Sequence, residues 1–336
     1  MSRYAILLGL VFANVNFLLA GDELPPAGKF TLADGQVTAK EFVAMLETNS
    51  GLKIDISAID ASAKVPGPLK ETSYWAALEH LAKHTESHLS LVGGKIALKS
   101  GAETVIPDLH GPFRFAVHDV ALRKDLITRQ TICDLHLEIA WLPTVHAYRI
   151  DASPLITSVT DETGMKYAVG SGGARTFTSG ITSPLVTRPL GLKRTSKSLN
   201  VAGSVQLTIA DEMLAFSFNA LKPAAAPNQQ GVSAAISKVG NAGANWYVDV
   251  ELSYPPTSAV WESHEIYWIR NNRLRLAPPT GEPIKSDDAE YGDRSIRYLF
   301  KNRAGKVGAD WKLEYQTPGP MRELRVPFEL KGIELP

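Results

Sequence analysis

The sequence predicts a mostly β protein: a small α+β module at the N-terminal end, with two tandem antiparallel β-sandwiches behind it. Three observations predict this. Apolar residues recur at helical spacing in two short stretches before residue 86, and from residue 113 onward they alternate with polar residues instead. Clusters of Gly, Pro, Ser and Thr separate the alternating runs, as turns between strands require. The length of 336 residues is enough for two or three domains.

Composition narrows function before any motif does. Lys+Arg 35 balances Asp+Glu 35, so the chain has no general electrostatic attraction for nucleic acid or an anionic membrane surface. Hydrophobic residues at 44% and charged residues at 21% are the usage of an ordinary folded chain. One cysteine forms neither an intramolecular disulfide nor a thiolate metal cage.

The first element is a leader. Arg3 precedes an apolar run from Tyr4 to Ala20 broken only by Asn14 and Asn16, and the small residues Ala20 and Gly21 lead into the polar Asp22-Glu23-Leu24-Pro25-Pro26. That order reads as a secretory signal peptide over residues 1–20, cleaved after Ala20 or Gly21. The apolar run is short for a membrane span, which needs about 20 residues. The expected location is therefore the periplasm or the cell surface, with no membrane span once the leader is removed. In that setting Cys133 is informative. It belongs to the run Cys133, Leu135, Leu137, Ile139, Trp141, the apolar face of one strand, where a thiol acts as a small buried hydrophobe.

Residues 27–101 form the module. Lys29 to Leu32 is a short strand. Ala39, Phe42, Val43 and Leu46 define a helix face between Thr38, a suitable N-cap, and Gly51, a left-handed stop. Leu52, Ile54 and Ile56 alternate as a second strand. Trp75, Leu78, Leu81 and Ala82 define a second helix over Ser73 to Thr85, capped by Thr72 or Ser73. Leu89 to Val92, Gly93-Gly94 and Lys95 to Leu98 make a hairpin. The expected order is β-α-β-α-β-β. Glu41-Phe42-Val43-Ala44-Met45-Leu46 running into Ser50-Gly51-Leu52-Lys53-Ile54, then Tyr74 to Leu81 running into Thr85 and the hairpin, resemble the short N-terminal domain of secretins and TonB-dependent signalling receptors. Lys83-His84-Thr85 departs from that family, which has Gly-Thr-Gly there. The resemblance implies a protein-contact module rather than an enzyme. His80, His84 and His88 invite a metal reading, but a structural zinc needs four ligands and no further donor stands at a suitable spacing. The face carrying His80 and His84 lies opposite Leu78 and Leu81, so both rings are expected in solvent.

The two sandwiches are expected over 111–223 and 232–336, joined by the linker 224–231, Ala-Ala-Ala-Pro-Asn-Gln-Gln-Gly. Their patterns match. Leu135-x-Leu137-x-Ile139-x-Trp141 in the first parallels Trp246-x-Val248-x-Val250-x-Leu252-x-Tyr254 in the second. Phe216-x-Phe218-x-x-Leu221, expected to close the first, parallels Phe328-x-Leu330-x-x-Ile333 at the end of the second. Matched ends at matched separation predict a duplicated immunoglobulin-like antiparallel β-sandwich of about 110 residues. The C-terminal stretch, with Trp261-Glu262-Ser263-His264, Trp268, Tyr298-x-Phe300, Leu313-x-Tyr315 and Val326 to Pro336, is similar to a family of exported planctomycete-type proteins. That likeness covers most of residues 27–336 and implies no catalytic residues.

Several patterns fail as catalytic motifs. His264-Glu265 begins a His-Glu-x-x-His pattern, but its fifth position is Trp268; Gly170-Ser171-Gly172-Gly173 fits neither a serine-nucleophile elbow nor a dinucleotide loop. Glu138 and Glu251 stand on the polar faces of separate strands and form no acid–base pair. Two binding candidates remain. Asp288, Glu290 and Asp293, beside Asp287, form an acidic loop that supplies part of a calcium shell or is simply solvated. Aromatic residues crowd Trp246 to Trp268, of which Trp261, Tyr267 and Trp268 are candidates for contact with a glycan or a partner; the other reading of these aromatics is as sandwich core. No cofactor is expected. The sequence favours an exported, non-enzymatic protein acting through contacts with another envelope protein or with itself; the alternative is a cell-surface polysaccharide-binding protein.

Overall fold

From residue 108 onward the alternating runs become antiparallel sheet, and the protein is mostly β. The computed structural model describes residues 23–336 apart from 93–94, 102–104, 128, 130, 152, 171–174, 178–179, 194, 255–271, 293–294 and 309. The expected leader, the expected Gly93-Gly94 turn and the Gly-Ser loop beyond Gly170 thus lie outside the described residues. Among those described are two helices, and neither is long and apolar enough to cross a membrane.

The module comprises β1 (Phe30–Leu32), β2 (Gln36–Thr38), α1 (Ala39–Ser50), β3 (Ile54–Asp55), β4 (Lys64–Pro66), β5 (Leu69–Thr72), α2 (Tyr74–His84), β6 (Ser87–Val92) and β7 (Lys95–Ser100). The Thr38 hydroxyl accepts the Glu41 N–H, and the Glu41 carboxylate accepts the Thr38 N–H at 2.8 Å, a reciprocal cap that fixes the start of α1. Gly51 ends it at φ 69°, a left-handed conformation that lets its N–H reach the Glu47 carbonyl. Ser73, not Thr72, caps α2. The expected β-α-β-α-β-β order misses β2, β4 and β5, which are three or four residues long and carry no resolvable alternation. They pair β2 with β4 and β1 with β5, while β3, β7 and β6 form the third sheet, β3 running parallel to β7. Phe30, Phe42, Leu46, Trp75, Leu78, Leu81 and Leu98 fill the module's core.

That core also takes in Ala140 and Leu142 from the next unit, so the module is docked rather than tethered. The Trp75 indole N–H donates to the Pro112 carbonyl at 2.8 Å. Arg114, 1% exposed, donates through Nε to the Glu79 carboxylate at 2.6 Å.

The first β unit is built from β8 (Asp108–His110), β9 (Phe113–Lys124), β10 (Thr131–Trp141), β11 (His146–Asp151), β12 (Leu155–Asp161), β13 (Ala168–Gly170), β14 (Arg175–Phe177), β15 (Thr182–Leu190) and β16 (Ser198–Ala210). The second uses β17 (Met213–Phe218), β18 (Ala224–Ala225), β19 (Ser233–Ala242), β20 (Asn245–Ser253), β21 (Arg273–Ala277), β22 (Ile284–Lys285), β23 (Asp288–Tyr291), β24 (Ser295–Phe300) and β25 (Lys312–Pro318). The last strand, β26 (Met321–Glu334), returns to the first unit and pairs with β16 from Ser198↔Glu334 to Ala210↔Met321.

This pairing corrects the expected boundaries. Phe328, Leu330 and Ile333, expected to close the second sandwich, are buried in the core of the first unit, where the Phe328 ring stacks on Phe115 at 5.0 Å. Phe216 and Phe218, expected to close the first, are buried in the core of the second. The chain leaves the first unit at 211–212 and returns at 319–320, and the expected linker instead holds β18, which pairs with β19. Alternation tells which face of a strand is buried but not which sheet it is buried against.

The crossing is a single ribbon. From Val201↔Leu330 through Ala210↔Met321 and Met213↔Pro318 to Phe218↔Leu313 the register does not shift, and the Gly319 N–H bridges the gap by donating to the Glu212 carbonyl at 2.9 Å. The repeat inferred from pattern also appears in the pairing. The sheet order β13-β15-β10-β9-β8 of the first unit is matched by β23-β24-β20-β19-β18 of the second, and β11-β16-β26 by β21-β25-β17.

Asp161, in the loop Asp161-Glu162-Thr163-Gly164, is buried and accepts five hydrogen bonds. They come from the Thr163 hydroxyl (2.6 Å) and N–H (2.9 Å), the Tyr167 hydroxyl (2.7 Å), the Met165 N–H (3.0 Å) and the Ser196 hydroxyl (3.0 Å). The Thr163 hydroxyl, with Tyr167, Met165 and Ser196 behind it, holds this carboxyl well below the usual carboxylate range despite its burial. A depressed folded pKa contributes stability above the unfolded value, about 3.9, and loses it as pH falls further. The urea midpoint of the wild type is therefore expected to drop below about pH 4. Asp161→Asn should start lower at pH 7 and show a shallower acid decline; an unchanged acid limb would refute the assignment.

Candidate functional site

Asp288 and Glu290 stand on β23, the edge of the second unit's five-stranded sheet, and both are exposed. Glu290 lies opposite Arg297, with the charged groups 4.0 Å apart. Arg297 in turn grips Asp249 through two bonds of 2.7 and 2.9 Å and lies 4.5 Å over the Tyr247 ring. Asp287 accepts the Lys301 N–H at 2.7 Å. The acidic residues are thus divided between a turn and a charge-bearing edge, a pattern that discourages further strands from adding. Asp293 lies outside the described residues, among which no three His, Cys, Asp or Glu side chains gather as metal ligands.

The module histidines do not converge as a set of three: the His80 and His84 rings are neighbours, with centroids 4.5 Å apart, and His88 stands on β6. His80 is half-buried, not solvated as expected: its Nε2 is 2.8 Å from the Pro66 carbonyl oxygen and its ring packs near Phe42. The loop carrying β4 folds back over that face of α2, which periodicity does not report. His84 is exposed as expected, and partial burial, the His80 ring and Lys83 lower its pKa. His88 Nδ1 is 2.8 Å from the Gly101 carbonyl oxygen, on a different element. Cys133 is buried as the alternation required. Burial, with Asp134 beside it, pushes the thiol up to about 11, which leaves it unreactive near neutral pH.

Of the aromatic residues, Trp246 is core and packs against Phe300 at 5.6 Å, while the Tyr254 hydroxyl is 2.9 Å from that of Thr317. Trp261, Tyr267 and Trp268 lie outside the described residues. The strand that follows them carries the feature that sequence reading passed over. Leu274 and Leu276 of β21 point into the core, so Arg273 and Arg275 both point out, and Lys285 of β22 lies opposite Arg275. With Ser286 and Asn272 they line an open cleft of about 390 Å³. Alternation of Arg with Leu over 273–276 is the signal in the sequence that points to this strand. Asn272 is committed inward, donating to the Tyr315 hydroxyl at 2.5 Å and accepting that of Thr317 at 3.1 Å.

No protein-family model matches this chain, and no curated protein does. A larger cleft of about 750 Å³ opens where Glu23 to Gly28, the module and the ribbon meet, among Tyr74, Val145, Asp211 and Arg322. Arg322 is spent there on holding the chain: it donates to Asp211 at 2.8 Å and to the Glu23 carbonyl at 2.9 Å.

Proposed function

We propose that this is an exported, non-enzymatic protein that works through protein–protein contacts in the cell envelope. One observation carries the reading: β6 ends the module's sheet with six residues, Ser-His-Leu-Ser-Leu-Val, and its outer edge has no strand partner among the described residues. Natural edges are usually blunted by Pro, Lys, a bulge or brevity, and β6 has none of these. An open edge of this kind takes an added strand from a partner. The module's likeness to the secretin and TonB-receptor domain supports the same reading, and its docking on the first unit presents that edge from a rigid base. A photo-crosslinking residue at Ser90, compared with one at Glu251 on the distant sheet, tests it. The expected result is one envelope protein, or a second copy of this chain, joined from position 90 alone. Equal crosslinking from both positions, or none from 90 and no self-association in sedimentation, would overturn it.

A second reading, binding of cell-surface polysaccharide, is favoured by the outward-facing Arg273 and Arg275, which follow within seven residues of the aromatic segment, and by Lys285 beside them.

A further inference from the structure

Several arginines among the described residues hold the protein's own carboxylates. Arg297 holds Asp249, Arg188 and Arg123 flank Asp134, Arg322 holds Asp211 and Arg114 holds Glu79. Arg273, Arg275 and Lys285 differ. Among the described residues none of the three makes an ion pair within 4.0 Å, although Glu314 is the cross-strand neighbour of Arg275. Arg275 and Lys285 stand directly opposite each other, a like-charge juxtaposition that weakens a sheet unless an anion relieves it.

We propose that this cleft binds a carboxylate-bearing polysaccharide. The proposal rests on the glycan reading above and names its site and the sign of its ligand. Arg273 and Arg275 are two residues apart on one face of β21, which sets their Cα atoms about 7 Å apart. Each guanidinium offers a planar fork that matches a carboxylate through two parallel bonds, and Lys285 adds a point charge beside them. Ser286 places a neutral hydroxyl on the rim, suited to a sugar hydroxyl. The cleft volume falls in the range of small-ligand clefts.

Calorimetric titration of the full chain with a tetragalacturonate tests this, beside neutral dextran oligosaccharide, poly-glutamate and inorganic phosphate. Binding of the galacturonate is expected, weakening as salt rises. Arg273→Gln/Arg275→Gln should lose about tenfold in affinity or more while its melting temperature stays within a degree or two of wild type, since both side chains are exposed. Undiminished galacturonate binding by the double variant overturns the site. Poly-glutamate or phosphate binding as tightly as galacturonate overturns the polysaccharide assignment. Dextran binding that the double variant retains, without galacturonate preference, refutes the anionic site but leaves the glycan reading standing; no binding of any glycan removes both.

Discussion

Truncation after Pro318 is expected to unfold the first β unit, although the chain first leaves that unit, at 211–212, about a hundred residues earlier. The deletion removes β26 and with it Leu324, Val326, Phe328, Leu330 and Ile333, all buried in the first unit's core. Each fully buried apolar side chain of this size is worth about 1.5–3 kcal/mol, so five of them rival the whole stability of an ordinary domain, about 5–15 kcal/mol. Loss of β26 also strips the hydrogen bonds from one side of β16. Trp141, in that core, reports the outcome by fluorescence, together with near-UV dichroism of the truncated chain. Replacing residues 211–320 by Asn-Gly is the companion experiment. Ala210 and Met321 are already cross-strand partners, so a two-residue hairpin turn should rejoin them and leave the module and first unit folded. A truncated chain that kept a native first unit, or an excised chain that lost it, would contradict the observed pairing.

Glu79→Ala is expected to cost about 3 kcal/mol, the low end for breaking a buried ion pair, because Glu79 is one-fifth exposed while Arg114 is 1% exposed. The variant leaves a guanidinium inside the seam between module and first unit with its carboxylate gone. Replacing both partners, as Glu79→Leu/Arg114→Met, should recover most of the loss, since an apolar pair needs no compensating charge. Urea unfolding of the two variants decides it. A single variant no weaker than the double one would mean that the Arg114–Glu79 pair does not hold the module in place, and that Trp75 and the apolar contacts with Ala140 and Leu142 suffice.

How far the fold was legible follows from the range over which each signal acts. The cap at Thr38, the stop at Gly51 and the helix faces of α1 and α2 are local, and the residues within a few positions of each decide them. β4 and β5 were not legible, because strands of three or four residues form only when a neighbour supplies the pairing. Gly67 shows the same dependence. Its close approach to Ala33, where a side chain would overlap the carbonyl oxygen, brings together residues that sequence separates by half the module. His80 failed for that reason too: helical spacing placed its ring in solvent, and a distant carbonyl claimed it.

The binding candidates divide in the same way. The acidic residues 287–290 were found because charge clusters are visible in sequence, yet their partners Arg297 and Lys301 arrive from another strand and its end. Arg273, Arg275 and Lys285 were overlooked because their separation in sequence hides that β21 and β22 set them side by side.

By itself the sequence determined that the chain is mostly β, which residues of the longer alternating strands face a core, which face of each helix is buried, and that the two β units repeat one pattern. These follow from spacing and from short-range backbone chemistry. Only the tertiary structure decided which core each strand fills. Phe216 and Phe328 carry the same signature and sit at equivalent places in the pairing, but each completes the unit opposite to the one its position suggests. Burial rewards an apolar face wherever it is covered, so the hydrophobic pattern leaves the partner open. An unbroken register through Glu212 and Gly319 fixes it.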